Sequence, residues 1–404
     1  MAHPFPDQPA RSTVALVLAG GKGSRLSPLT DARAKPAVPF AGSYRIIDVV
    51  LSNLAHSGLQ DVWIAEQYRP FTLNRHLAGG RPWDLDGTRH GLQILPPAEG
   101  RIEEGFAAGN GHVLHQHAPL LESFGADEAV ILSADHLYLL DLRPVLEQHR
   151  ATGAELTVVT TEVSEHPGRY GVVQTDDDGR VTRYDYKPDD PQGSVVATEI
   201  FVYDVSVLAR VTDELVAAQE QEHDPDPSIE GETLGDYGES IVPTLVERGK
   251  VFEYRHTGYW RDIGTVDSYF QAHMDLVAGR GLELTRADWP ITTNPRTSAP
   301  ASIGPSAEVR DALVCAGARV EGAVSESVIG PGVHVEPGAS VRRSVLLGSC
   351  VVPAGAELES VIADVGAEIP AERVGRTKPG PGNITVLEPA ARGPEHGQDE
   401  TTGH

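Results

Sequence analysis

The chain has 404 residues, enough for two or three domains with sizeable cores. Its 33 Lys+Arg stand against 58 Asp+Glu, a formal charge of −25, which argues against nucleic acid or an anionic membrane surface as a partner. A local basic pocket for small anions is still compatible with that charge. The two cysteines, Cys315 and Cys350, give no disulfide framework. The start has no signal-peptide design, and the apolar run Val14–Ala19 is too short to span a bilayer, so the expected compartment is the cytoplasm.

Residues 1–12 are expected to be flexible. Thr13–Leu18 is a continuous apolar run ending in Gly-Gly, the pattern of a buried parallel strand feeding a loop. Similar runs follow at Val62–Ala65, Ala129–Ser133 and Leu156–Thr160, with helical signals at Arg45–Leu54 and Arg143–Arg150 between them. This alternation predicts an α/β domain with a mostly parallel sheet over residues 13–290. Residues 291–300 read as a linker.

From Ile303 onward the helical period stops. Apolar residues recur with a period of about six: Ile303 and Val309, then Ile329, Val335, Val341 and Leu347, then Val352 and Leu358. Turn clusters repeat with them, as in IGPSAEV, IGPGVHV and VEPGASV. These hexads predict a left-handed parallel β-helix over residues 301–375, each hexad a short strand and each Pro/Gly/Ala cluster a corner. Ordinary surface strands are the alternative. Residues 376–404, rich in Pro, Gly and polar residues, are expected to form a disordered tail.

The loop after the first strand reads LAGGKGSRLSPLTDARAKPAVPF. Gly20, Gly21 and Gly23 let the backbone approach an anion and offer amide donors. Arg25 and Lys35 add positive charge, so phosphate binding is the favoured reading. The segment is neither a Walker loop nor GxGxxG. Asp135 closes the strand signal AVILSADH, where ligands sit in open α/β sheets, although an aspartate there serves equally as a helix cap. A further segment, EEGFAAGNGHVLHQHAPLL, holds His112, His115 and His117. On a helix starting near Gly111, capped by Asn110, the first two lie about 60° apart and the third about 140° from His112. Three ligands do not converge from that arrangement.

LAGGKGSRLSPLT, RAKPAVPFAGSYRIIDVVLSN, QYRPFTLNRHL, VILSADHLY, RYGVV and GYWRDIGTVDSYFQAHMDL occur in this order. Together they resemble the signature of sugar-nucleotide pyrophosphorylases, most closely the ADP-glucose pyrophosphorylase (glucose-1-phosphate adenylyltransferase) family. The resemblance covers nearly the whole chain except its ends. It implies a Rossmann-like nucleotidyltransferase domain followed by the β-helix, and a reaction joining a nucleoside triphosphate to a sugar 1-phosphate with release of pyrophosphate. It also implies Mg²⁺ held by Asp135 and Asp262, catalytic roles for Arg25 and Lys35 on the triphosphate, Lys187 on the sugar phosphate, and Gly171 beside the nucleotide-sugar. A homo-oligomer, tetrameric in that family, is expected, with the β-helix as an assembly surface. No acyltransferase role is assigned to the β-helix, whose hexads contain His334 alone as a histidine.

Several positions depart from the family pattern. Its EKP motif is Tyr186-Lys187-Pro188 here, which exchanges a hydroxyl-binding carboxylate for one phenol. Its SMGIYVF segment is Ala197-Thr198-Glu199-Ile200-Phe201-Val202-Tyr203, so a serine has become Ala197 and a glycine Glu199. A carboxylate has moved rather than vanished. The PAQQ loop near the base becomes Pro96-Pro97-Ala98-Glu99, GTADAV becomes the segment Gly109 to Leu114, and an aromatic and an arginine before it become Ala107 and Ala108. Gly109 and Asn110 keep the turn of the nucleotide loop, while His112 replaces an acidic residue. Ala32 stands before Arg33 where a basic residue is common, which weakens the expectation of effector control. Groups serving phosphate chemistry persist, and groups choosing base and sugar differ. The specific expectation is a cyclitol phosphate, valienol 1-phosphate, joined to GTP to give GDP-valienol in aminocyclitol antibiotic biosynthesis. The alternatives are an ADP-glucose-forming enzyme of glycogen synthesis and a non-catalytic regulatory subunit.

Overall fold

The computed structural model describes residues 11–21, 23–67, 69–96, 109–222, 234–294 and 297–390. Strands of the first domain are β1 (Thr13–Ala19), β2 (Pro39–Phe40), β3 (Tyr44–Arg45), β4 (Asp61–Glu66), β5 (Leu92–Leu95), β6 (Glu128–Ser133), β7 (His136–Tyr138), β8 (Leu156–Glu162), β9 (Gly171–Thr175), β10 (Val181–Tyr186), β11 (Val195–Asp204), β12 (Val251–Arg255) and β13 (Trp260–Asp262). Its helices are α1 (Ile46–His56), α2 (Pro70–Leu77), α3 (Gly109–Phe124), α4 (Arg143–Thr152), α5 (Val205–Glu222), α6 (Ile241–Arg248) and α7 (Val266–Val277).

Nine strands form one sheet with the central path β10-β9-β11-β6-β1-β4-β5. β1 runs parallel to both β4 and β6, β5 is parallel to β4, and β11 enters antiparallel between β6 and β8. Strand β1 reads as an unbroken apolar run because both of its faces are covered. Leu16 and Leu18 pack with α3, α5 and α6 residues such as Leu114, Leu208 and Leu245, while Ala15 and Val17 pack with Leu51, Leu73 and Leu146 from α1, α2 and α4. Each fully buried Leu, Ile or Val contributes roughly 1.5–3 kcal/mol. Local signals place the helix ends: Pro70 opens α2, Gly153 closes α4 in the left-handed region, and Thr265 and Ser268 form a reciprocal cap at the start of α7.

The second domain is a parallel β-helix. Its three sheets stack ladders such as Ile303–Val320–Val335–Val352, Val309–Val324–Val341–Leu358 and Val314–Ile329–Leu346–Ala363. Rungs are shorter than three full hexads because one corner of each contains no Pro/Gly cluster. There the chain turns on one left-handed residue, Asp311, Glu326, Arg343 or Ser360, with φ of 46, 48, 46 and 55°. Buried serines beneath these turns supply backbone partners: Ser327 Oγ accepts from Ser344 N at 3.0 Å, and Ser344 Oγ accepts from Val361 N at 3.2 Å.

Several boundaries differ from the sequence reading. Arg11 and Ser12 are tied down, since Ser12 N donates to Asp127 at 2.9 Å and Arg11 pairs with Glu128 at 3.1 Å; residues 1–10 lie outside the described set. The expected linker is pinned as well, with Thr292 N bonded to Ser52 Oγ at 2.8 Å and Asn294 Nδ2 to the His76 carbonyl at 2.9 Å. The β-helix also continues past residue 375. Thr385–Leu387 pairs in parallel with Val361–Ala363, so the expected tail is ordered at least to residue 390 and its remainder lies outside the described residues. Polar composition hid this strand, which needs its neighbour rung to form.

The two domains share a core. Leu29, Phe40, Tyr269 and Phe270 pack in the same cluster as Val328, Val345, Leu347 and Ile362 of the β-helix. Above it, Arg33 forms a two-pronged bond with Asp364, at 2.7 and 3.1 Å. The β-helix thereby braces the segment that carries Lys35.

Candidate active site

A cleft of about 840 Å³ opens at the C-terminal ends of β1 and β6. The sequence-selected residues Gly20, Gly21, Gly23, Arg25, Lys35, Asn110, Asp135, Tyr186, Lys187, Glu199 and Asp262 line it. Gly109 and Gly171 do not. A Cβ on Gly109, at φ 76°, would sit 2.2 Å from the Gly235 carbonyl group; one on Gly171 would sit 2.1 Å from the Tyr184 hydroxyl. Both glycines therefore permit close packing behind the cleft wall. Asn110 is not a helix cap, because α3 already begins at Gly109. Its N–H reaches Asp236 Oδ1 at 3.3 Å, and Gly111 N bonds to the Gly235 carbonyl at 2.9 Å. The GNG turn thus anchors the loop that carries Asp236.

On the phosphate side, Gly23 takes a left-handed turn at φ 65° and places Ser24 and Arg25 at the cleft. Arg25 and Arg169 both face the cleft and have no ion-pair partner among the described residues. Lys35 Nζ bonds to Asp135 Oδ2, and Ser133 Oγ bonds to Asp135 Oδ1. Burial opposes the charge on both partners. Asp135, Asp262 and Glu199 nevertheless raise the Lys35 ammonium above its ordinary pKa, while Lys35, His136 and the hydrogen bonds hold the Asp135 carboxyl below the usual range.

At the floor, β13 pairs with β7 so that Asp262 lies opposite His136. His136 Nε2 is 3.6 Å from Asp135, 3.6 Å from Asp262 and 3.8 Å from Glu199. Burial pushes the imidazole down; these three carboxylates outweigh it and raise it. Glu199 comes from an irregularity in β11, where pairing with β8 shifts between Ala197 and Phe201, and its φ is 57°. Burial lifts its carboxyl above the ordinary range, His136 pulls it back, and Asp135 and Asp262 add to the lift.

On the opposite wall, Tyr186 Oη donates to Asp236 Oδ2 at 2.6 Å. Lys187 Nζ in turn bonds to Tyr186 Oη and lies 3.6 Å from Asp236. Burial first, then this hydrogen bond, pushes the phenol far up, so Tyr186 keeps its proton.

Sequence reasoning missed His136, Arg169, Tyr170 and Asp236. The histidine stood in the quoted VILSADHLY segment, whereas Asp236 in GDYGES has no local signal and becomes a wall residue only through folding. The substituted Pro97, Ala98, Glu99, Ala107 and Ala108 lie outside the described residues. The three histidines of α3 do not converge. His112 Nε2 meets Gln116 at 2.9 Å, His115 lies 3.5 Å from Asp213, and His117 is held below its ordinary pKa by burial. His334 is bonded to Glu321 at 2.7 Å on the β-helix.

Residues 14–279 match the nucleotidyl transferase family, and residues 299–378 match the GlmU-like C-terminal hexapeptide family. A glucose-1-phosphate adenylyltransferase from Thermotoga neapolitana is 37% identical over 335 residues, 82% of this chain and 76% of the relative. One from Thermotoga maritima is 38% identical over the same shares. With a glycine loop, acids and basic side chains gathered in one cleft, the chain belongs to the nucleotidyl transferase family and is a sugar-phosphate nucleotidyltransferase.

Proposed function

We propose that this enzyme joins GTP to a cyclitol 1-phosphate, valienol 1-phosphate, to form GDP-valienol for aminocyclitol antibiotic biosynthesis. The observation that carries the reading is the ring-facing wall. A phenol fills the place of a hydroxyl-binding carboxylate, its proton is committed to Asp236, and Glu199 supplies a carboxylate from another strand. The wall offers acceptors to a polyol ring in a new arrangement, which suits a ring with altered hydroxyl placement and no ring oxygen.

In the reaction, a non-bridging oxygen of the 1-phosphate attacks the α-phosphorus. A new P–O bond forms, the α–β phosphoanhydride bond breaks, and pyrophosphate leaves. Arg25 and Lys35 hold the triphosphate and balance charge on the leaving group, the amides around Gly20, Gly21 and Gly23 contact phosphate oxygens, and Lys187 holds the attacking phosphate. Incoming phosphate competes with Asp236 for Lys187. Asn110 and the Gly109 turn lie toward the nucleotide, and Gly171 supports the wall beside the product. Asp135 and Asp262 each present a hard carboxylate oxygen 3.6 Å from His136 Nε2, and such oxygens fit Mg²⁺. When bound, the ion neutralises triphosphate charge.

The protein works in the cytoplasm, a reading supported by its two free cysteines. No helix of the described residues is long and apolar enough to cross a membrane. Homo-oligomerisation, tetrameric by family resemblance, is supported by exposed Ile303 and Val351 on one β-helix sheet. Light scattering of the purified chain tests it.

The names of the relatives favour a second reading, ATP with glucose 1-phosphate. Pyrophosphate release, measured for each nucleotide against a panel of sugar and cyclitol 1-phosphates, decides between them. Fastest turnover is expected with GTP and valienol 1-phosphate. Fastest turnover with ATP and glucose 1-phosphate would replace our reading with the second.

A further inference from the structure

We propose that His136 and one carboxylate oxygen of Glu199, its other oxygen left for the ring, are direct ligands of the divalent cation served by Asp135 and Asp262, so that the centre mixes nitrogen and oxygen donors. This inference rests on the cleft being a metal-dependent nucleotidyltransferase site, but not on the identity of base or sugar. Its starting point is a residue that the fold alone disfavours. Glu199 sits at φ 57°, where a Cβ is strained, and its half-buried carboxylate lies close enough to Asp135 and Asp262 to feel their charge. Backbone strain and charge repulsion at one cleft position call for a compensating ligand.

The imidazole supplies an independent observation. His136 is 3% exposed, and its Nδ1 lies 2.9 Å from the Thr198 carbonyl oxygen. A carbonyl only accepts, so Nδ1 donates and Nε2 is the nitrogen turned to the acids, where a bound cation would take the place of the proton that those carboxylates favour. Nε2 has no hydrogen-bond partner among the described residues and points at carboxylate oxygens of Asp135, Asp262 and Glu199, at 3.6, 3.6 and 3.8 Å. One donor atom each from Asp135, His136 and Glu199 falls within a sphere of mutual separations below 4.8 Å. Thr198 and Glu199 are consecutive, so the same β11 irregularity fixes the imidazole tautomer and turns the carboxylate into the cleft. Lys35 takes the other oxygen of Asp135. Carboxylates alone suit Mg²⁺, whereas an added imidazole shifts preference toward Mn²⁺ or Co²⁺.

The test titrates the full-length protein with MnCl₂ and MgCl₂ without nucleotide, by calorimetry, and records pulsed electron paramagnetic resonance of the Mn²⁺ complex. Wild type should bind Mn²⁺ at least about ten-fold tighter than Mg²⁺ and show nitrogen modulation from the imidazole, absent in His136→Asn. Glu199→Gly should weaken Mn²⁺ binding about ten-fold or more while raising the melting temperature, because the strain is relieved. A Mn²⁺ complex without nitrogen modulation, or Mn²⁺ affinity within about two-fold of wild type in Glu199→Gly, overturns the assignment. Because substrate is absent, failure here is separable from a substrate other than the cyclitol in the turnover assay.

Discussion

The two walls of the cleft are built on different terms. Along the wall we assign to phosphate, Arg25, Lys35 and the glycine loop come from one continuous stretch after β1, and Asp135 follows the neighbouring parallel strand β6. Along the wall we assign to the ring, Tyr186, Glu199 and Asp236 come from β10, from an irregular point in β11 and from a loop before α6. Phosphoryl chemistry demands fixed charge at fixed places, so the first wall tolerates little change. A ring demands only that its hydroxyls find partners, and these can be supplied from several strands. Specificity can therefore be rebuilt without disturbing the reaction.

The comparison is broken most forcefully at Asp135. Asp135→Asn removes a carboxylate that a metal would use and takes from the buried Lys35 ammonium its direct partner, leaving only the more distant Asp262 and Glu199. We expect kcat to fall about 10²–10³-fold with every nucleotide and every sugar phosphate. Steady-state pyrophosphate assays check this. An effect confined to one substrate would place Asp135 on the selective wall instead.

A smaller effect that depends on substrate is expected at Tyr186. Tyr186→Glu introduces the carboxylate of the EKP motif that this segment resembles but sets it against Asp236. The ratio of kcat/KM for glucose 1-phosphate to that for the cyclitol phosphate we propose as substrate should rise by about 10–100-fold. The absolute rate with cyclitol should fall, while KM for the nucleotide stays nearly constant. Equal losses with all 1-phosphates would show that Tyr186 does not select the ring.

Bracing of the phosphate wall gives a stability prediction. Arg33 and Asp364 are mostly buried and connect the Lys35 segment to the β-helix through two hydrogen bonds. Asp364→Ala should cost about 2 kcal/mol in chemical denaturation, with Asp364→Glu recovering part of it. If the loss is below about 0.5 kcal/mol, the shared apolar core alone holds the domains together.

The two walls also differ in how readable they are. Gly20, Arg25, Lys35 and Asp135 could be placed because strand, loop and charge are adjacent in sequence, and a strand end in an α/β sheet is where ligands gather. The hexads were equally legible, since every rung repeats one apolar rule. Asp236 was not, because the packing of Gly109 and Gly111 against Gly235 brings it to Tyr186 across a long stretch of chain. Glu199 could be named as a displaced carboxylate, yet its left-handed backbone and its nearness to His136 follow from an irregularity in pairing that no side-chain pattern announces. The Thr385–Leu387 strand escaped for a related reason: it is defined by the rung beneath it.

A test that shows in full only above neutral pH lies beneath the glycine loop, at Glu66. This buried residue ends β4 beside Gln67, whose side chain lies over Gly20. One carboxylate oxygen takes a hydrogen bond from Asn74 at 3.1 Å, and the other has no partner among the described residues. Burial pushes its pKa up to about 7, against the small lowering from Asn74. The folded protein thus binds a proton more tightly here than the unfolded chain does. The stability this proton gives is fully present below the unfolded value of about 4.3 and is lost as pH rises through about 7. Glu66→Gln keeps the shape without the charge, so it should raise stability by about 1–3 kcal/mol above pH 7 and flatten the profile between those limits. Denaturation curves from acid to neutral pH measure this directly. A variant with the same pH slope as wild type would mean that Glu66 ionises without cost, and that the floor beneath the glycine loop is wetter than its packing indicates.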